Sequence, residues 1–311
     1  MPGAYMILRS QCPCCQSNDL SDVCSYPYSD HSLIAFLKSY YRKFEPDFLE
    51  GACFTVKECN QCGLFFQQEI PDSEFLKVLY DKWLARPEEV APLSTRIAHE
   101  LHAVSCHLRV RLNHLKVLDF GMGSGQWYSV AQALGCETYG HDLADSLMVS
   151  ARSRGVRTLT WSEIGEHQFD FISTDQVLEH LADPYETLTQ LSRGLKRSGV
   201  LKICVPNGSR LRERLRRMDW MAPLYSRNSL NVIHPLEHIN CYTRASLIAA
   251  ARVAGLVPIR PSFYCQYSFV WKHRLKHAAS EPIFKSLLRP IYTPFNPHAL
   301  YLWFRRLDAI T

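Results

Sequence analysis

The chain has 311 residues, of which 47% are hydrophobic, so it is long enough for one large domain with an appendage or for two domains. Its formal charge of +5 is small and is not gathered in one tract, which permits an anionic substrate and does not require nucleic acid. No apolar run is long enough for a signal peptide or a membrane span. We therefore expect a cytoplasmic protein whose twelve cysteines are reduced, some of them binding metal.

The N-terminal part contains two cysteine pairs with the spacing of zinc knuckles. Cys12 and Cys15 form the first pair, and Cys59 and Cys62 form the second. Two residues between thiolates allow one tight turn to present both sulfurs to one ion. The pairs therefore predict a structural zinc site of four thiolates. Cys14 is an alternative ligand in the first pair, although the Cys-x-x-Cys spacing favours Cys15.

The helical and domain pattern follows from apolar periodicity and from breaks in it. Helices are predicted at residues 33–44, 73–84 and 94–112. The predicted domain organisation comprises a zinc-ribbon module with a helical insert at 1–72, a helical linker or cap at 73–113, and an α/β domain at 114–311 that contains an insert at 209–240.

The α/β domain is predicted from strands that alternate with helices after residue 116. Strands are expected at 117–120, 138–141, 158–160, 169–173, 200–205, 256–259 and 299–304, and helices at 126–134, 144–154, 185–195 and 243–254. This alternation is typical of a Rossmann-like, doubly wound and mostly parallel sheet, here of seven strands, with the last two forming an edge hairpin. Ligands of such sheets bind at the carboxyl ends of the strands.

A glycine-rich turn follows the first of these strands. Gly121, Gly123 and Gly125 allow positive φ angles and leave no side chain in the way of a ligand. The helix that follows offers free N–H groups at its N-terminus. A strand, such a turn and a helix together predict a site for a nucleoside-containing small molecule.

Two acidic residues indicate which cofactor this turn binds. The dinucleotide fingerprint would place its third glycine at position 126, where this chain has Gln126. Asp119, just before the turn, disfavours a phosphate and suits an ammonium group. Asp142 ends the second strand, where a carboxylate accepts hydrogen bonds from ribose hydroxyls. The combination favours S-adenosylmethionine over NAD.

Several segments together resemble one protein family. Residues 117–125 resemble the first motif of class I S-adenosylmethionine-dependent methyltransferases, and Gly-His-Asp at 140–142 resembles their second. Residues 169–184, with Leu-Glu-His before Asp-Pro, and residues 237–243 are similar to one branch of that family. The cysteine pairs are similar to that branch too, and many of its zinc-ribbon members are associated with nucleotide-sugar, polysaccharide or natural-product pathways. The resemblance covers about residues 115–260.

The resemblance implies cofactor contacts at specific positions. Asp119, Gly121, Gly123 and Asp142 are expected to contact S-adenosylmethionine. Asp175 or Gln176 is expected beside its sulfonium end. The adenine contact is left open, with Ser162 and Glu163 as candidates at the position where many relatives have Asp.

Methyl transfer to oxygen or carbon also requires removal of a proton from the acceptor. His180 is the first candidate for this base and His238 the second, while a structural role for His180 is an equal alternative. Glu179 and His180 also resemble part of a Glu-x-x-Glu-His pattern that holds a divalent ion in small-RNA 2′-O-methyltransferases and some ubiquinone-pathway O-methyltransferases. Gln176 replaces the first Glu of that pattern, which disfavours a magnesium site.

The sequence therefore predicts a methyltransferase for a small molecule, such as a sugar nucleotide, a glycan precursor or a secondary metabolite. One alternative is an RNA methyltransferase that recognises RNA through the zinc ribbon, which the slight positive charge disfavours. Another is a non-catalytic, cofactor-binding scaffold. The sequence does not indicate the acceptor atom or the oligomeric state.

Overall fold

The structure is a computed structural model that describes residues 5–84, 95–224, 226–267 and 296–309. Its strands are, in chain order, β1 Met6–Leu8, β2 Leu20–Pro27, β3 Cys53–Cys59, β4 Phe65–Gln67, β5 Glu69–Pro71, β6 Lys116–Phe120, β7 Glu137–His141, β8 Phe169–Asp175, β9 Leu195–Pro206, β10 Asn240–Cys241, β11 Leu256–Ile259 and β12 Ala299–Arg306. Its α-helices are α1 His31–Tyr40, α2 Ser73–Val78, α3 Thr95–Leu108, α4 Gln126–Ala133, α5 Asp145–Ser153, α6 Trp161–Ile164, α7 Pro184–Gly194, α8 Leu211–Arg217, α9 Arg244–Val253 and α10 Phe263–Gln266. Short 3-10 turns lie at Pro46–Leu49, Leu112–His114, Leu178–His180, Leu230–Ile233 and Leu307–Ala309, and a π-helical turn lies at Leu79–Trp83.

The chain divides into two compact units that are not continuous in sequence. The first unit comprises Met1–Glu88, Leu178–Tyr185 and Pro206–Ala250, and the second comprises Glu89–Val177, Glu186–Val205 and Ala251–Thr311. The insert at 209–240, attached to the α/β domain in the sequence analysis, thus belongs to the first unit. The boundary at residues 72 and 73 stays a prediction.

The first unit is built on short antiparallel sheets. Strands β10, β4, β3 and β2 form one sheet in that order, and β1 pairs with β5 in another. Helix α1 begins after Asp30, whose carboxylate accepts hydrogen bonds from two backbone N–H groups and so caps the helix. The core contains aromatic side chains such as Phe54 and Trp83, together with Leu211 and Leu215 of α8. Because α8 buries these two leucines in the same cluster as the N-terminal residues, the insert is part of this unit's core.

In the described part of the second unit, six strands form a mostly parallel sheet. The strand order is β11, β12, β9, β8, β6 and β7, with parallel pairing of β6 to both β7 and β8, and of β8 to β9. Strands β11 and β12 pair antiparallel, which confirms the predicted edge hairpin. Leu118, Phe171 and Val200 are fully buried, as expected for central strands of a parallel sheet that read as continuous apolar runs. The α/β class and the mostly parallel sheet are confirmed.

Among the described residues this sheet has six strands rather than the predicted seven, because the predicted strand at 158–160 does not form. Thr158 makes only an isolated parallel bridge to Gly140. Thr160 and Glu163 form a capping box that starts α6 at Trp161. The chain therefore turns into a helix before a third strand can extend along β7.

In the part of the chain that the structure describes, we find no helix with the length and apolarity needed to cross a bilayer.

Candidate functional site

The predicted turn between β6 and α4 lies at the carboxyl end of β6, an inner strand that pairs with β7 on one side and β8 on the other. Gly121, Gly123 and Gly125 have φ angles of 76°, 50° and 79°, the left-handed region that favours glycine. A Cβ atom on Gly121 would collide with the side chain of Val177, so this glycine is required by packing. No atom lies within 4 Å of the Cβ position at Gly123 or Gly125, so the turn leaves open space there.

Asp142 lies beside this turn. Its Oδ2 accepts a hydrogen bond of 2.9 Å from the N–H of Gly123, and its Oδ1 accepts one of 3.0 Å from the N–H of Ala144. These bonds fix the carboxylate at the carboxyl end of β7, next to the end of β6. The structure thus brings together the glycine turn and the acidic residue that the sequence analysis placed at the ribose.

Asp119 lies within β6 and is almost fully buried. Its Oδ2 accepts a hydrogen bond of 3.0 Å from the N–H of Tyr128 in the first turns of α4. Burial raises the pKa of Asp119 to about 7, although this hydrogen bond and the charge of Lys202 act in the opposite direction. The side chain therefore connects the strand to the helix that frames the turn.

Asp175, at the end of β8, is held by two cations. The Nζ atom of Lys202 lies 3.2 Å from Asp175 Oδ2 and 3.2 Å from Glu100 Oε2, and Arg96 Nη2 lies 3.0 Å from Asp175 Oδ2. Burial favours the neutral form of Asp175, but Lys202 and Arg96 outweigh it and hold its pKa below the usual range. Gln176, the next residue, has a positive φ of 56° and donates its backbone N–H to the carbonyl of Cys204.

Three residues of this charge network were not predicted from the sequence, namely Arg96 and Lys202, which pair with Asp175, and Glu100, which pairs with Lys202. Lys202 is only 1% exposed and lies in the middle of the apolar strand β9. A lysine inside a run of buried apolar residues is a signal that was visible in the sequence, because such a charge requires a partner. Its partners were not visible, because they come from α3 and β8.

Glu163, one of the two candidates for the adenine contact, is hydrogen-bonded to Thr160. The carboxylate of Glu163 accepts hydrogen bonds from the backbone N–H and the hydroxyl of Thr160, both 2.7 Å long. Glu163 therefore acts as a helix cap.

The four cysteines of the predicted metal site come together in the first unit. The sulfur atoms all lie within 4.8 Å of one another in Cys12, Cys15, Cys59 and Cys62. The sulfurs of Cys12 and Cys62 are 3.5 Å apart, as are those of Cys15 and Cys59. Four converging sulfurs form the donor set that tetrahedral zinc takes in structural sites.

The structure also distinguishes the two alternatives in the first pair. Cys14 is fully buried outside the cluster, with its sulfur 3.6 Å from the hydroxyl oxygen of Tyr242. Its neighbour Cys15 lies in the cluster. The N–H of Gln16 donates a hydrogen bond to the carbonyl of Cys12, which closes a turn over residues 12–16. This turn brings the sulfur of Cys15 into the cluster that contains Cys12.

The two predicted catalytic histidines are partly buried and lie in one cluster of the first unit. The rings of His180 and His238 meet edge to face, with centroids 4.7 Å apart. Burial lowers the pKa of His180 to about 4 and holds that of His238 well below its usual range, so both imidazoles are neutral near pH 7. The structure therefore brings together the two residues that the sequence analysis ranked separately.

Two further titratable residues belong to the same cluster and were not singled out from the sequence. Glu237 accepts a hydrogen bond of 2.9 Å from the hydroxyl of Tyr41, and burial raises its pKa to about 7. His234 is fully buried, its Nδ1 lies 2.9 Å from the carbonyl of Pro235, and its Nε2 has no hydrogen-bond partner. Titratable groups with perturbed pKa values are concentrated at functional sites more often than elsewhere.

Comparison with known proteins matches a family over residues that come from both units. A family model described as "Methyltransferase domain" matches residues 83–260, more than half of the chain. A curated relative, the ubiquinone biosynthesis O-methyltransferase of Ruegeria sp. (strain TM1040), is 36% identical over 101 residues. That alignment covers 29% of this chain and 40% of the relative, so it spans well under two thirds of the relative's length.

Solved structures with a similar chain path include two methyltransferases with bound SAH. Magnesium protoporphyrin IX methyltransferase from Synechocystis PCC 6803 is 13% identical, with a TM-score of 0.41, 71% of this chain covered and 90% of that one. The plantazolicin methyltransferase BamL, in complex with an analogue of desmethylPZN, is 15% identical, with a TM-score of 0.43, 68% of this chain covered and 90% of that one.

Proposed function

This chain belongs to the methyltransferase domain family, and we propose that it transfers a methyl group from S-adenosylmethionine to a small molecule. The observation that carries the proposal is the glycine turn at 121–125 with the carboxylate of Asp142 bonded to it. The sugar and natural-product branch of the family stays a prediction.

The residues at the turn fit a nucleoside that carries an amino acid. Asp142 is proposed to accept hydrogen bonds from the ribose hydroxyls, because a carboxylate at the end of the second strand has that role in related folds. Gly121, Gly123 and Gly125 are proposed to let the backbone approach the cofactor, which the open space at the last two supports. Asp119 is proposed to face the amino-acid end.

The sulfonium end is proposed to lie near Asp175 or Gln176. When bound, S-adenosylmethionine supplies a methyl group attached to a positively charged sulfur. The ion pairs of Asp175 with Lys202 and Arg96 support a positioning role, since they fix this carboxylate in one orientation. Gln176, in the left-handed region, keeps the chain after β8 in a defined conformation.

The four-cysteine cluster is proposed to hold one structural zinc ion. Cys12, Cys15, Cys59 and Cys62 supply all four positions of a tetrahedral site, which leaves none for a substrate or water. The prediction is at least one zinc per chain by metal analysis of the purified protein, and one fewer in Cys59→Ser with loss of thermal stability. Cys24→Ser, a partly buried cysteine of the same unit, is the control and should retain the zinc. A folded, metal-free native protein would contradict the site.

The acceptor is proposed to be a small molecule of the sugar-nucleotide, glycan-precursor or secondary-metabolite class. A relative named for a small-molecule pathway supports this choice, as does the slight net charge. His180 and His238 are proposed to promote loss of the acceptor's proton through Nε2, because the Nδ1 atoms of both rings lie against backbone carbonyls. A cytoplasmic location is proposed because none of the twelve cysteines, all of which the structure describes, forms a disulfide.

The experiment that tests the function measures release of S-adenosylhomocysteine from S-adenosylmethionine. The full chain is incubated with separate pools of sugar nucleotides, glycan precursors, phenolic metabolites and structured RNA. We expect release with one small-molecule pool, reduced at least about 100-fold in Asp142→Ala. Release with RNA alone, falling steeply with salt, would replace the small-molecule acceptor by RNA. No release with any pool, combined with no cofactor binding, would contradict the enzymatic function.

A further inference from the structure

Three side chains with ligand atoms for a metal converge in the first unit, apart from the four cysteines. A carboxylate oxygen of Glu179 and one ring nitrogen each of His180 and His238 lie within 4.8 Å of one another. Glu179 and His180 come from the 3-10 turn Leu178–His180, and His238 lies two residues before β10. Segments 58 residues apart in the chain thus supply one compact donor set.

Both imidazoles are oriented by the backbone. Nδ1 of His180 lies 3.0 Å from the carbonyl oxygen of Glu237, and Nδ1 of His238 contacts the carbonyl oxygen of Asn231. A carbonyl oxygen can only accept, so each Nδ1 bears the proton and each Nε2 keeps its lone pair. Metal-binding histidines are commonly fixed in this way, with one nitrogen donating to a backbone carbonyl and the other facing the ion.

The turn that carries Glu179 and His180 is also anchored. The amide Nδ2 of Asn240 donates to the carbonyls of Leu178, at 3.0 Å, and Leu181, at 2.7 Å. Arg9 in turn donates to Oδ1 of Asn240 at 2.8 Å. These buried bonds hold the turn against β10, so the three ligand atoms are positioned before any ion binds.

We propose that Glu179, His180 and His238 bind a divalent first-row transition-metal ion, such as zinc, manganese or cobalt. Two imidazoles and one carboxylate form a borderline donor set that favours these ions over magnesium. Three protein ligands also leave coordination positions for water or for an oxygen of a small molecule, unlike the four-thiolate cluster. With the ion bound, both Nε2 atoms are ligands and cannot accept a proton, so the ion would take over the part proposed for the two histidines by polarising the acceptor oxygen. That part rests on the proposed function, whereas binding of the ion does not.

Cobalt(II) is the probe that separates the two metal sites of the full-length protein. Cobalt bound by thiolates absorbs in the near ultraviolet through sulfur-to-metal charge transfer, and cobalt bound by imidazole and carboxylate does not. We expect one cobalt per chain that gives visible absorption without the thiolate band. This measurement needs only the native protein, so it tests the proposal even where a variant fails to fold.

Variants then assign the site. Glu179→Gln and His238→Ala should each lower the affinity for the cobalt ion without the thiolate band at least about 100-fold. Even the loss of a residue that only hydrogen-bonds to a ligand lowers metal affinity roughly 10- to 100-fold. His31→Ala, an exposed histidine in the same unit, should leave binding unchanged. Cys59→Ser should remove only the thiolate band.

The proposal is overturned if the native protein shows cobalt only with the thiolate band. It is also overturned if folded Glu179→Gln and His238→Ala retain native affinity for the non-thiolate ion. Calorimetry with S-adenosylmethionine on the same samples keeps this result separate from the methyltransferase proposal. If the protein binds S-adenosylmethionine but no cobalt outside the thiolate cluster, only the metal site is refuted. If it binds that cobalt but no S-adenosylmethionine, only the proposed function is refuted.

Discussion

Asp119 and Asp175 are two acidic residues on neighbouring strands of one sheet, yet their surroundings are opposite. Asp119 is buried with one backbone N–H as its hydrogen-bond donor, and its pKa is raised to about 7. Asp175 forms ion pairs with Lys202 and Arg96, and these cations hold its pKa below the usual range. This end of the sheet therefore contains two different carboxylates. Asp175 is kept ionised by the neighbouring cations, whereas Asp119 exchanges its proton near neutral pH.

Removing the cation of the paired carboxylate should have the largest effect. Lys202→Met leaves Asp175 and Glu100 facing each other with one cation fewer, so we expect a loss of about 3–5 kcal/mol in the free energy of unfolding. Chemical denaturation followed by circular dichroism measures it.

Lys196→Met is the matched control for this change. Lys196 pairs with Asp170 at 2.8 Å and is 40% exposed, and the buried carboxylate of Asp170 keeps a hydrogen bond from the N–H of Lys116, so the loss of Lys196 should cost less, about 1–2 kcal/mol. Equal effects of the two substitutions would contradict the distinction between the buried network and an ordinary ion pair.

The unpaired carboxylate should instead make stability depend on pH. The pKa of Asp119 in the folded chain is about 7, whereas in the unfolded chain it is near the ordinary value of 3.8. The contribution of Asp119 to stability should therefore fall as pH rises from about 4 to about 7, by at most about 4 kcal/mol, and should level off above that range.

Asp119→Asn removes this titration while retaining an acceptor for the N–H of Tyr128. The difference in unfolding free energy between native protein and variant should therefore change across this pH window. A difference that stays constant from pH 4 to pH 8 would show that Asp119 titrates normally.

The two glycines of the turn should give smaller and distinguishable effects. In Gly121→Ala the added Cβ collides with Val177 and the residue must also keep a left-handed φ. We therefore expect the free energy of unfolding to fall by roughly 2–4 kcal/mol. Gly123→Ala faces open space, so it should lose only about 1–2 kcal/mol but bind S-adenosylmethionine more weakly.

Gly155→Ala provides the control for backbone strain alone. Gly155 has a φ of 80° with no atom near its Cβ position and lies after α5. Its substitution should reduce stability as Gly123→Ala does while leaving cofactor affinity unchanged. The same affinity loss at both positions would remove the special role of the turn.

The sequence was sufficient where local chemistry decides structure. Alternating apolar runs predicted the strands β6, β8 and β9, and Gly121, Gly123 and Gly125 marked the turn because each needs a positive φ. The strand at 158–160 failed because the capping pair Thr160 and Glu163 starts a helix there, a local signal that the apolar pattern concealed.

Features that depend on contacts between residues far apart in the chain could not be predicted from the sequence. The charge network around Lys202 joins α3, β8 and β9, and no spacing rule relates these segments. The grouping of 206–250 with the N-terminal unit depends on Leu211 and Leu215 packing with residues such as Phe54. Likewise, His180 and His238 were separate candidates until the fold placed their rings in contact.

Calorimetric titration of the native protein with S-adenosylmethionine tests the central claim most directly. We expect one binding site per chain, with binding abolished in Asp142→Ala because this carboxylate is fixed by the N–H groups of Gly123 and Ala144. Asp145→Ala, an exposed acidic residue of α5, should bind as the native protein does. No heat of binding to the folded native protein, or unchanged binding in Asp142→Ala, would contradict the account.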